Sequence, residues 1–250
     1  MKRFILLAAL LLTASNIYAD GHSAIEQAVA NSARPEADTL RDSNRKPAEV
    51  LEFFGIEPGM NVLDIFAGGG YYTEILSYLV GDDGKVTLYN NGGWNGFVNT
   101  GVTERLANDR LANVESLVAE ADEIDFAANS YDAALFVLGF HDLYYVDTIW
   151  PAIEPLPFIT AIYNSIKPDG LLGIVDHIAE PGGSSIEVAN SLHRIDPAII
   201  QRDMLAAGFV LEAESTLLRN TSDNHMLPMG DPSVQGKTDR IVYLFRKPMS

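Results

Sequence analysis

The sequence predicts an α/β fold: one doubly wound sheet with mostly parallel strands, helices on both faces and an antiparallel final strand pair. Three observations predict it. From residue 61 onward, strand-like apolar runs alternate with helix-like amphipathic segments, the pattern of parallel strands joined by crossover helices. The first apolar run ends in an acid, then three consecutive glycines and a helix, a layout suited to nucleotide-type ligands. The last two strand-like runs have no helix between them, so one is expected to run against the rest.

Each element has its own signal. Lys2 and Arg3 precede the apolar residues 4–12, and a more polar stretch ends at Ala19. A membrane-spanning helix needs about 20 apolar residues, so this run is too short to be one. It has the layout of a cleavable export signal. Residues 1–19 are therefore expected to be a signal peptide cut after Ala19, with the protein exported to the periplasm and no stable membrane anchor. Residues 20–57 read as an N-terminal helical cap broken at Pro35 and Pro47 and ending at Gly55. Residues 58–250 are the α/β domain. In it, 61–66, 85–90, 114–119, 131–138 and 171–177 read as strands one to five. Helices are expected over 71–80, 102–111, 152–166 and 197–207. The closing strands are 209–218 and 240–246, and the polar segment 219–238 between them reads as a long functional loop.

Composition excludes several functions. The formal net charge is −17, and loss of Lys2 and Arg3 makes it two units more negative. Such a surface repels phosphate backbones, so no nucleic-acid partner is expected. The chain has no cysteine, which removes disulfides, zinc–thiolate sites and thiol nucleophiles. A small-molecule partner is expected; oligomeric state is not legible.

Ligands of open α/β sheets bind beyond the carboxyl ends of the strands. There the sequence places Gly68, Gly69 and Gly70 after strand one and Asn90 and Asn91 at the end of strand two. Glu120 and Ala121 follow strand three, His141 and Asp142 follow strand four, and Asp176 and His177 close strand five. Glycines let the backbone approach a ligand closely. Thr73 stands where a dinucleotide-binding turn carries Gly or Ala, and Asp64 precedes the glycines.

Asp64–Gly68–Gly70 resembles the D-x-x-x-G-x-G motif of class I S-adenosylmethionine (SAM) methyltransferases, a superfamily with a Rossmann-like sheet. Residues 119–132 are similar to the superfamily's segment after strand three, and residues 166–172 to its turn before strand five. Segments such as His141-Asp142-Leu143-Tyr144, Leu192-His193-Arg194 and Lys237-Thr238-Asp239-Arg240 resemble a bacterial family of exported methyltransferases. The resemblance implies SAM as cofactor, held by Asp64, Gly68, Gly69, Gly70, Asn90, Glu120 and Ala121. Glu120 would face the adenine amino group, and Ala121 would add a backbone contact to the ring. Asn90 departs from the superfamily's acid for the ribose hydroxyls, and a carboxylate is the stronger acceptor.

The function that follows is SAM-dependent methyl transfer to a small molecule or envelope component. The alternative is an exported ligand-binding module that keeps the fold without methyl transfer. Methyl transfer needs alignment first and a base only where the acceptor carries a proton. His141, Asp142 and His177 are the candidate catalytic residues. Their H-D and D-H pairs, separated by a strand, lack metal-ligand spacing, so no metal is expected. His193 and Arg194 are expected to close over the acceptor. Tyr71 and Tyr72 are expected in the core or on a ligand.

Overall fold

A computed structural model describes residues 21–249; the expected signal peptide lies outside the described residues. Helix α1 covers residues 21–29. Three short helices follow: α2 (Glu36–Thr39), α3 (Asp42–Arg45) and α4 (Pro47–Phe53). The sheet is built from β1 (Asn61–Ile65), β2 (Lys85–Asn90), β3 (Val114–Val118), β4 (Tyr131–Val137), β5 (Ile166–His177), β6 (Val210–Ser215) and β7 (Arg240–Arg246). Between the strands lie α5 (Tyr71–Val80), α6 (Gly92–Leu106), α7 (Pro155–Ser165), α8 (Ser185–Leu192) and α9 (Pro197–Ala206).

Strand order is β3-β2-β1-β4-β5-β7-β6. The first five strands pair in parallel, while β7 runs antiparallel to both β5 and β6. The expected helix-free ending therefore takes the form of β7 inserted between β5 and β6. Both faces of the central strands are buried, as parallel sheets with crossover helices require. Leu63 and Ile65 of β1, Ala134 and Phe136 of β4, and Leu172 and Ile174 of β5 enter the core on one face. Val62, Ala133, Leu135 and Val175 enter the other, which carries α4 and α5. The alternation follows from the two-residue period of a strand.

Three expectations are corrected. α6 begins at Gly92, not near residue 102, because Asn91 caps it: its Oδ1 accepts from the Trp94 N–H at 2.9 Å. β5 starts at Ile166 rather than 171, pairing Ile166 with Tyr131 across an irregular register. The sequence predicts no helix over residues 185–192, where α8 forms. Ser184 caps it, accepting from the Glu187 N–H, and Glu187 lies in its first turn.

The crevice that positions a ligand opens where strand order reverses, between β1 and β4. The carboxyl ends of both strands lead into it.

Candidate functional site

The glycine turn leaves β1 through a run of unusual backbone. Phe66 has φ +49°, Gly68 +57° and Gly70 +81°. A bulky side chain at positive φ is strained, and at Phe66 packing offsets the cost. Its buried ring stacks on Phe158 at 5.5 Å and meets Phe136 and Trp150 edge-on at 5.5 and 5.7 Å. An aromatic floor thus lies beneath the turn. Asp64 accepts from Thr73 Oγ1 at 2.6 Å, tying the end of β1 to the first turn of α5. Burial pushes the Asp64 carboxyl up to about 7, against the pull of its bonds to Thr73.

Asn90 spends its side chain on the same turn. Its Oδ1 accepts from the Gly68 N–H at 2.9 Å, and its Nδ2 donates to the Gly68 carbonyl at 3.0 Å. A carboxylate has no donor for that carbonyl, which accounts physically for the amide at this position. Glu120 Oε1 accepts from the Gly92 N–H at 3.2 Å, so the ends of β2 and β3 meet at the start of α6. Ala121 packs at the margin of the aromatic core.

Beside the turn, Trp94 lies over Gly68: a side chain there would stand 3.6 Å from the indole ring. Two buried donors near the turn, Trp94 Nε1 and Asn91 Nδ2, have no partner. Buried donors of this kind call for an acceptor. Nothing crowds the position above Gly69. The open position at Gly69, the unpaired donors and the acceptor Glu120 fit a polar nucleoside bearing hydroxyl and amino groups.

A cavity of about 230 Å³ adjoins the turn, lined among others by Trp94, His141, Asp142, Tyr145, Trp150 and His193. His141 and Asp142 reach it from a 3₁₀ turn, Phe140–Leu143, directly after β4. The fully buried Asp176, near the end of β5, accepts from the His141 N–H and lies 2.8 Å from Nδ1 of the same residue. Its other oxygen, with Nδ1–H donating, leaves Nε2 of His141 facing Asp142 at 3.3 Å. Burial pushes the His141 ring down, but Asp176 and Asp142 outweigh it and raise its pKa to about 9. Burial raises Asp142 to about 6, though His141 pulls it down. His193 reaches the cavity from the end of α8, with Nδ1 4.0 Å from Asp142.

The candidate residues thus divide. His141 and Asp142 share the cavity with His193, which reaches it from the end of α8. His177 does not line it. Its ring lies 5.9 Å from that of His141, and its Nδ1 is 2.6 Å from Thr238 Oγ1. Burial, aided by the nearby His141 charge, holds it well below its ordinary pKa. Arg194 does not close over an acceptor. It is fully buried, paired with Asp223 and bonded to the Ile178 and Leu227 carbonyls. Tyr71 and Tyr72 are core residues, and three guanidiniums, of Arg34, Arg41 and Arg45, face the Tyr71 ring within 5.4 Å.

Comparison with known proteins agrees with this fold. The family described as protein-L-isoaspartate (D-aspartate) O-methyltransferase matches residues 30–127. The ubiquinone/menaquinone biosynthesis C-methyltransferase UbiE of Teredinibacter turnerae is 27% identical over 144 residues, 58% of this chain and 53% of that protein. Its counterpart in Shewanella oneidensis is 31% identical over 94 residues, 38% of this chain and 37% of that protein. The chain thus spans about half or less of the length of these relatives. A SAM-dependent methyltransferase structure from Aquifex aeolicus superposes with a TM-score of 0.59 at 22% identity, covering 83% of this chain and 98% of that one. Phosphoethanolamine N-methyltransferase 2 of Haemonchus contortus, solved with S-adenosyl-L-methionine, gives a TM-score of 0.56 at 17% identity, covering 84% and 53%. The fold, the glycine turn and these matches place the chain in the class I SAM-dependent methyltransferase superfamily.

Proposed function

We propose that this protein binds SAM over the Gly68–Gly70 turn and transfers its methyl group to a small-molecule acceptor in the cavity beyond β4. The single observation that carries the reading is the position of Trp94. Its ring borders Gly68 and also lines the cavity, so the glycine turn and the cavity adjoin one another at Trp94. When bound, SAM supplies an electrophilic methyl on a sulfonium. Gly68, Gly69 and Gly70 would take its amino-acid and ribose end, with Glu120 facing adenine and Asn90 bracing the turn through Gly68. Asn91 Nδ2 is a free donor that such a ligand would satisfy.

The cavity is below the roughly 300–1,000 Å³ of typical ligand sites, which suits an acceptor rather than a second nucleoside. Its walls combine aromatic and aliphatic side chains, and its polar groups include His141, Asp142, Asp147 and His193. This chain's share of the chemistry is to orient the acceptor and exclude water there.

Isothermal titration with SAM and its demethylated product tests the reading. Saturable binding in the roughly 1 µM–1 mM range usual for enzyme substrates is expected, and Asp64→Ala should abolish it by detaching the turn from Thr73. Absence of heat and of any thermal shift at millimolar ligand would sink the proposal.

A further inference from the structure

We propose that His141, Asp142 and His193 form a binding site for a zinc-type divalent cation in the cavity beyond β4. Each of the three offers a ligand atom within 4.8 Å of the others, and His141 Nε2 and His193 Nδ1 lie 3.3 and 4.0 Å from Asp142 Oδ1. They come from two segments about fifty residues apart in sequence, the turn after β4 and the end of α8, so no local spacing announced them.

Four features point to a ligand rather than a simple ion pair. The first is a distance. His141 Nε2 and Asp142 Oδ1 are 3.3 Å apart, too long for a good charge-assisted bond of about 2.7–2.9 Å. It does match the edge of a tetrahedron, roughly 3.3–3.5 Å, for ligands about 2.0–2.1 Å from zinc. The second is Asp142 itself. Its carboxylate is buried yet takes no backbone hydrogen bond among the described residues. A buried carboxylate so placed is ordinarily paired or bound to metal.

The third feature is support behind the donors. Asp176 lies 2.8 Å from His141 Nδ1 and fixes the ring with Nε2 toward the cavity, the carboxylate–histidine arrangement found behind metal ligands. The fourth is His193. It holds a left-handed conformation (φ +49°, ψ +56°) where helix α8 ends, a position that favours Gly or Asn. There its ring stacks on Tyr145 at 4.9 Å and stands perpendicular to the His141 ring at 5.5 Å. The side chain is 35% exposed, with Nδ1 4.0 Å from Asp142 Oδ1.

Two imidazoles and one carboxylate, without sulfur, suit zinc with three protein ligands and an open fourth position. Calcium and magnesium favour all-oxygen sites. The ion would sit between Nε2 and the Asp142 carboxylate. Its open side would face the cavity, where Trp94 Nε1 is an unused donor and an anionic oxygen of the acceptor could coordinate. That last role rests on the methyl-transfer reading; cation binding itself does not.

The test is titration of the chelator-treated full chain with zinc alone, without SAM, followed by cobalt(II) substitution. One ion per chain, a raised melting temperature and the visible absorption of four-coordinate cobalt are expected. His193→Asn, which suits the left-handed backbone, and Asp142→Asn should each weaken zinc by at least about tenfold, with circular dichroism unchanged. No saturable heat, or zinc affinity unaltered in both variants, would overturn the site. Because SAM is absent, failure here leaves the methyltransferase reading intact, and failure to bind SAM leaves this one intact.

Discussion

Asp64 and Asn90 show how much of a site lives in single hydrogen bonds. The motif acid was legible as an acid at a strand end. Its work is local: it clamps Thr73, which also explains why a hydroxyl residue replaces the Gly or Ala of a dinucleotide turn. Asn90 was legible only as a departure, because its reason is a carbonyl twenty-two residues away in sequence. Burial raises the Asp64 pKa from the ordinary 3.8 to about 7, so the folded state keeps a proton that the unfolded chain releases. The contribution is therefore fully present below about pH 4 and is lost as pH rises through about 7. Asp64→Asn removes the titration and keeps an acceptor for Thr73. Urea unfolding at pH 4.5 and 7 should show wild type losing more stability than the variant over that interval. The difference approaches about 1.4 kcal/mol per pH unit at most. Equal losses in the two proteins would mean that Asp64 titrates as an ordinary surface acid.

At the scale of elements, what the sequence revealed was set by how local the cause was. Parallel strands buried on both faces read as continuous apolar runs, and β1 and β2 begin where such runs begin. The N-terminal half of α6 was hidden by Gly92, Gly93, Gly96 and Gly101, poor helix formers whose segment is rescued by the Asn91 cap. α8 carried a readable Ser184–Glu187 signal that went unused. Packing of the helical cap on the sheet was not legible at all. Phe54, just past α4, lies flat on β5 at Gly173, where an added methyl carbon would stand 2.4–2.5 Å from its ring. Phe54 is fully buried, so the ring has nowhere to retreat. Gly173→Ala should therefore cost about 1–3 kcal/mol by overpacking. Thermal unfolding reads it as a lowered midpoint, and Gly173→Ala with Phe54→Leu should recover part of the loss. A midpoint equal to wild type in the single variant would show that α4 can lift off the sheet freely.

Across the whole molecule, a chain with net charge −17 has few cations to spend, and it concentrates several on one junction. Arg105, on α6, pairs with Asp38 of the cap at 2.8 Å and with Glu74 of α5, and donates through Nε to the Gly69 carbonyl at 2.7 Å. Arg110 holds Glu74 from the other side at 2.6 Å. Both carboxyl side chains are almost wholly buried, and both are held below their ordinary pKa because these guanidiniums outweigh burial. One side chain thus joins the cap, α5, α6 and the glycine turn. Removing one partner of a buried pair leaves an uncompensated charge, at a cost of about 3–5 kcal/mol. Glu74 keeps Arg110 and Asp38 keeps Arg41, so Arg105→Ala should fall at the low end, about 3 kcal/mol. The same change frees the Gly69 carbonyl, so SAM affinity should fall as well, even though Arg105 is not placed against the ligand. Urea unfolding and SAM titration on one preparation separate the two effects. Arg105→Lys, which restores a charge but not the three-way fork, should recover part of the stability and little of the affinity. Wild-type stability in Arg105→Ala would show that the cap and the glycine turn stand independently of this junction. In that case the turn would owe its shape to Thr73, Asn90 and Phe66 alone.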